Sequence, residues 1–541
     1  MLAGAAAAAA VTGLGRSQAP ATGNAPVVTT TAGNVAGRWA DGVAVFKGIP
    51  YGASTTGAGR FRPPRKPDPW SGVLAVVEDP PQAPQHDPGS PAGPRGGSPY
   101  DGIEPDWTRV PESEDCLKLN VWTPGLEGAK RPVMVWFHGG GFVAGSAAGR
   151  WQDGGRLCRR GNVVVVSVNH RLNVLGHLFL DRLSAAFAGA GNAGLLDLVL
   201  ALSWVRDHIA RFGGDPGNVT IFGQSGGGQK VSMLLAMPAA MGLFHKAIVQ
   251  SGPAPKALEP DYATDLAQRF LGKLAIGTPE LERLQQVPLD QILRAYFAVF
   301  RETGGFGVLG ILQGFAPVVD GQLLPQHPFH REAPQVSADV PLLIGTTRTE
   351  MTLNTLLKDP TADRMDEATL LAHVSDLFGP DAKRVVDAYR TSHPGGSPWE
   401  LYALISSDWP TRLYSIWIAE RKARLRRAPV FMYRTDWRTP VGGGKLMSPH
   451  AIDIGFVLDD TPYTASFDSG GRAPSQMAGR MSEAWLAFAR HGDPNIRALP
   501  HWPKYEPDGG RTTLVFDTRC HVVDDPDGVD RRALDALLAK R

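Results

Sequence analysis

Seven short stretches of the chain are apolar at consecutive positions rather than at alternate ones. They are 133–137 (VMVWF), 163–168 (VVVVSV), 219–222 (VTIF), 247–249 (AIV), 342–344 (LLI), 430–433 (VFMY) and 513–516 (TLVF). Successive side chains of a strand point to opposite faces, so a strand apolar at both parities is buried on both faces. That is the signature of a mainly parallel sheet covered by helices. Helical stretches fall between these runs, among them 195–210 and 482–490. Strand and helix in alternation predict an α/β fold with a doubly covered sheet. No linker-like break separates the runs, so residues 26–541 read as one domain.

Composition narrows the class without changing that picture. Hydrophobic residues make up 43% and charged residues 20% of 541 positions, as in ordinary globular chains. Lys and Arg number 55 against 53 Asp and Glu, so there is no electrostatic case for nucleic acid or an anionic membrane. Three cysteines, Cys116, Cys158 and Cys520, leave at least one thiol free and form no CxxC site. The first ten residues, MLAGAAAAAA, resemble the apolar part of a secretory signal but lack a preceding basic residue. Residues 1–25 therefore read either as a signal remnant, implying export to the periplasm or medium, or as an Ala-rich tail on a cytoplasmic protein. Nothing later reaches about 20 uninterrupted apolar residues, the length of a membrane span. Segments 80–105 and 439–449, rich in Pro and Gly, read as loops.

Two glycine-rich motifs carry the chemistry. Gly223-x-Ser225-x-Gly227 follows the apolar run 219–222 and precedes another, 231–237, that can continue as a helix. Strand, sharp turn and helix are the setting of a nucleophile elbow, which lifts a serine hydroxyl above the sheet edge. Crowding at such a turn admits only small neighbours, and the Gly226 N–H then faces the developing oxyanion. The second motif, HGGGF at 138–142, directly follows the run 133–137. Its glycines let backbone N–H groups approach a bound carbonyl, so Gly140 and Gly141 are candidates for an oxyanion hole. Together the motifs predict a serine hydrolase with Ser225 as nucleophile.

The ordered motifs FKGIPY (46–51), RFRPP (60–64), SEDCL (113–117), LNV (119–121), HGGGF (138–142), NHR (169–171), GNAG (191–194) with Asp197, FGGDP (212–216) and GQSGG (223–227) resemble the type-B carboxylesterase family. This group includes cholinesterases and bacterial para-nitrobenzyl esterases, and the resemblance runs over about residues 27–517. It implies an α/β-hydrolase fold with cap or insertion segments around the active-site entrance. It also implies an ester-cleaving Ser-His-Glu triad that works through an acyl-enzyme, without metal or organic cofactor. The carboxylate falls on Glu350, after the run 342–344. The family usually has Gly where this chain has Met351.

The base must follow Glu350, which leaves His373, His393, His450, His491, His501 and His521. His450, in a loop after the run 430–433, resembles the family's histidine segment. By the same resemblance Arg60 and Glu114 form a structural ion pair, and Ser251 buttresses the triad. Cys116 stands where relatives bridge to an upstream cysteine, but here that segment reads Ala83-Pro84-Gln85. His138 is read as a structural member of its loop.

A small-molecule ester is the expected partner, and the insertion 253–315, rich in Leu, Ala and Phe, is expected to help wall an apolar pocket. Two other readings stay open: a serine hydrolase of another acyl bond (amide, carbamate or thioester), or a non-catalytic binding relative. A nucleotide site at Gly442-Gly443-Gly444-Lys445 is set aside, because Leu446 stands where Ser or Thr is required.

Overall fold

The computed structural model describes residues 25–89, 100, 102–103, 110–126, 128–305 and 311–538. The Ala-rich leader up to residue 24, most of the loop from residue 90 to 105, and residues 306–310 of the insertion lie outside them.

Eleven strands form one sheet: β1 (Arg38–Ala40), β2 (Val43–Pro50), β3 (Lys118–Thr123), β4 (Arg131–Phe137), β5 (Val164–Val168), β6 (Gly214–Gln224), β7 (Lys246–Gln250), β8 (Leu342–Thr347), β9 (Val430–Thr435), β10 (Thr512–Phe516) and β11 (His521–Asp524). Their spatial order is 1-2-3-5-4-6-7-8-9-10-11. Every neighbouring pair from β5 to β10 is parallel, and the pairs toward the two edges are antiparallel. All seven apolar runs fall on parallel strands. The antiparallel strands β1, β2, β3 and β11 lie outside these seven runs, although β2 has a two-sided apolar run of its own at 43–46 (VAVF), with Ala44 and Phe46 in one core and Val43 and Val45 in the other. A separate three-stranded sheet joins Val27–Thr29, Asn34–Ala36 and Val73–Ala75.

The packing explains why both parities are apolar. Val133, Val135 and Phe137 enter one core, while Met134 and Trp136 enter the other. The same alternation recurs at Val164/Val165, Ile221/Phe222, Val249/Ile248, Ile344/Leu343 and Met432/Phe431. Helix Ala193–His208 covers the first face through Leu195, Leu198, Leu202 and Val205. Helix Arg472–His491 covers the second through Met477, Met481, Trp485 and Phe488. This is the α/β-hydrolase arrangement.

The helix expected at 195–210 starts two residues earlier and tightens into a 3-10 turn, Ile209–Phe212. Among the described residues, Ala185–Phe212 is long and apolar enough to cross a bilayer, but 61% of its most apolar window is buried in the protein. The described parts of the insertion form helices Pro260–Lys273 and Leu289–Glu302. Phe270, Ile292, Tyr296 and Val299 are consumed in a third apolar cluster with Val174, Leu175 and Leu178. The Gly442–Gly444 segment is a short 3-10 turn.

Candidate active site

Five candidate segments leave the carboxyl ends of adjacent parallel strands. His138 follows β4, Ser225 follows β6, Ser251 follows β7, Glu350 comes three residues after β8, and His450 lies in the connection after β9. Open α/β sheets place their ligands at this edge.

Ser225 sits between β6 and helix Gly226–Leu234 at φ 57°, ψ −125°, a backbone region that residues with a Cβ seldom occupy. The strain is held by the surroundings. Ser225 N–H donates to the Gln250 carbonyl at 2.8 Å, and its own carbonyl accepts from Gln229 N–H at 3.0 Å. A Cβ on Gly223 would lie 2.6 Å from Gly227 C and 2.7 Å from the Phe137 carbonyl oxygen, and one on Gly227 would strike that same oxygen. Glycine on both sides is thus a packing requirement.

The glycine loop after β4 rests directly on this turn. A Cβ on Gly226 would collide with the Gly141 backbone, and one on Gly139 would come within 3.5 Å of Ser225 Cβ. Gly140 (φ 84°) and Gly141 (φ 62°) occupy the left-handed region, which allows the loop to double back over Ser225. His138 is buried, stacked on His170 at 4.8 Å between ring centroids, and pulled down to a pKa of about 3 by burial and then by Lys230. It is a neutral member of the loop's support.

On the other side, His450 Nδ1 lies 2.5 Å from Glu350 Oε2. Glu350 is fully buried, and its second oxygen accepts from Thr347 N–H at 2.9 Å. The His450 ring keeps 14% side-chain exposure. Its Nε2 lies 3.1 Å from the side-chain amide of Gln224, the residue before Ser225. With Nδ1–H donated to the carboxylate, Nε2 is the ring's acceptor atom, and it takes the Gln224 amide N–H. Met351 adopts φ −95°, ψ −3°, in the right-handed region, so nothing in this turn requires glycine. Of the other histidines, His393 is paired with Asp530 at 2.7 Å and His373 packs on Tyr402.

Arg60 and Glu114 form a buried bidentate pair, both bonds 2.7 Å, and Arg60 also donates to the Val287 carbonyl at 2.6 Å. The pair ties the region before β3 to the insertion. Ser251 is buried, but its hydroxyl makes no hydrogen bond to the described residues, so no such bond buttresses the triad. A different carboxylate stands behind the site. Asp453, three residues after His450, accepts from Gln250 Nε2 and from the Tyr433 hydroxyl, each at 3.0 Å. Burial, and then the charge of Glu350, push it up to about 6, against the pull of those donors. Trp485 donates to Gln250 at 3.1 Å and extends the network. No helix spans His450 to Asp453, because Ala451 is left-handed (φ 71°) ahead of helix Ile452–Val457, so their spacing carries no sequence signal. All three cysteines are free.

Known proteins match this architecture over nearly its whole length. The model of the carboxylesterase family matches residues 24–525. The chain is 35% identical over 515 residues to a Bacillus subtilis para-nitrobenzyl esterase, covering 94% of this chain and 98% of that one. It is 34% identical over 522 residues to a Pseudarthrobacter oxydans phenmedipham hydrolase, covering 94% and 99%. Among solved structures, a Geobacillus stearothermophilus carboxylesterase superposes with a TM-score of 0.79 at 36% identity, covering 94% of this chain and 99% of that one. With its sheet, elbow and oxyanion loop in this arrangement, the chain belongs to the carboxylesterase family and is an ester hydrolase.

Proposed function

We propose that residues 26–541 form a single catalytic domain that hydrolyses small carboxylic esters through a Ser225–His450–Glu350 triad. The oxyanion hole is made by the N–H groups of Gly140, Gly141 and Gly226. The observation that carries this reading is the 2.5 Å His450–Glu350 contact at the same sheet edge as a serine held at φ 57°, ψ −125°.

In acylation, His450 Nε2 takes the Ser225 hydroxyl proton as Oγ bonds to the ester carbonyl carbon. The carbonyl oxygen becomes an oxyanion facing the three N–H groups, each worth about 3 kcal/mol in the transition state. Glu350 holds the imidazole in the required tautomer and stabilises the imidazolium. Collapse breaks the carbon–oxygen bond to the alcohol, which takes the proton from His450. Water then attacks the acyl-enzyme by the same route and releases the carboxylic acid. Catalytic power comes from donors already in place, so little reorganisation accompanies charge development.

The test compares the protein with Ser225→Ala on para-nitrophenyl acetate and butyrate. Turnover in the parent is expected to vanish in the variant, and a fluorophosphonate probe is expected to label the parent alone. Retained turnover in the variant would overturn the assignment.

A further inference from the structure

The helix that begins at the elbow carries a buried lysine that the acyl-transfer steps do not use. Lys230 is fully buried, and its Nζ donates to the His138 carbonyl at 3.0 Å and to the Gly141 carbonyl at 2.8 Å. It also lies 5.4 Å from the centroid of the Phe142 ring. Among the described residues no carboxylate pairs with it, so the ammonium is neutralised only by carbonyl dipoles. Burial pulls its pKa down from the ordinary lysine range. Such an arrangement is costly and calls for a compensating role.

The placement indicates that role. Residues four apart share a helix face, and helical side chains lean toward the helix N-terminus. Gly226 and Lys230 are such a pair on helix Gly226–Leu234. Gly226 has no Cβ where Gly141 packs on it, and Lys230 reaches back under the same loop. The two carbonyls it joins flank Gly139 and Gly140. The imidazoles nearby bring no charge, because burial holds His138 and His177 at about 3 and His170 well below the ordinary histidine range.

We propose that Lys230 is a positioning residue for ester hydrolysis, clamping the His138 and Gly141 carbonyls so that the Gly140 and Gly141 N–H groups face the oxyanion. The inference rests on the assignment of that loop as the oxyanion hole.

Lys230→Met removes both donors and charge while keeping an unbranched apolar chain out to the Cε position. Two readouts are taken: kcat and KM for para-nitrophenyl butyrate, and the inhibition constant of an aryl trifluoromethyl ketone, which forms a tetrahedral oxyanion on the serine. Folding is checked by near-UV circular dichroism. The expected result is a loss of about 100-fold in kcat, the scale of a misplaced catalytic geometry. KM should stay within about 2-fold, ketone affinity should fall in parallel with kcat, and fluorophosphonate labelling should persist at a reduced rate. A folded variant that keeps kcat and ketone affinity within about 3-fold of the parent would overturn the proposal. If Lys230→Met does not fold, Lys230→Gln is judged on the same readouts and limits. Failure of the underlying assignment looks different, since Ser225→Ala would then stay active or the ketone would not inhibit the parent.

Discussion

The two halves of the active site are built by different means. The elbow half, Gly223 to Gly227 against Phe137 and Gly141, is held by backbone contacts so close that a Cβ has no room. The acid–base half, Glu350, His450 and Asp453, is held by side-chain hydrogen bonds, two of which join residues 100 and 203 positions apart. Backbone packing tolerates no change of residue type but is written in adjacent positions. Side-chain bonding tolerates changes along the chain, such as Met351, provided that the functional groups meet in space.

The largest expected effect falls on the acid–base half. Glu350→Gln keeps the shape but loses the charge that selects the His450 tautomer, so kcat should drop about 10⁴-fold, or about 5 kcal/mol, with folding intact. Steady-state kinetics with para-nitrophenyl butyrate reads this, and a loss below about 10-fold would mean that the carboxylate does not orient the ring. Next comes the elbow. Gly227→Ala drives a Cβ into the Phe137 carbonyl and should cost about 3 kcal/mol or more of stability, seen in urea denaturation. A variant as stable as the parent would show that the turn relaxes and that the contrast with the side-chain half is too sharply drawn.

Asp453→Asn tests the carboxylate behind the triad. The folded pKa of about 6 lies above the ordinary aspartate value, so the group favours folding most below about pH 4. That contribution is lost as pH rises through about 6, a cost of about 2–3 kcal/mol at neutral pH. The parent's melting temperature should therefore fall relative to that of the Asn variant between pH 4 and 7. Parallel profiles would show that Asp453 ionises over the same pH range in the folded chain as in the unfolded one. The smallest effect is expected at the tolerant turn. Met351→Gly should change kcat less than 2-fold and cost roughly 0.5–1 kcal/mol, because the right-handed conformation gains nothing from glycine. A larger change in rate would show that this turn, too, depends on residue type.

Much of this was legible in the chain itself. The seven apolar runs mark all seven parallel strands because their residues are buried at both parities, six of the strands dividing theirs between two cores. The antiparallel strands β1, β3 and β11 mix apolar residues with polar ones such as Lys118 and Asn120, whereas β2 has a two-sided apolar run, 43–46, that matches those of the parallel strands. Ser225 and its glycines were readable because one turn imposes its sterics on contiguous residues. Glu350 and His450 were assigned by resemblance, since strand and loop order alone left several histidines open. Asp453 and Lys230 went unread, being ordinary polar residues whose neighbours are known only after folding.

By itself, then, the sequence determined a doubly covered parallel sheet, a strained serine at its edge and a glycine loop able to bend over that serine. These depend on short-range sterics and on the period of the hydrophobic pattern. The tertiary structure alone decided which carboxylate meets which imidazole. It also left the Ser251 hydroxyl without a hydrogen bond to the described residues, tied Asp453 to Gln250 and Tyr433, and set Lys230 on the His138 and Gly141 carbonyls. Those relations depend on distances between residues far apart in the chain, and only the closed packing of the strands brings them within hydrogen-bond range.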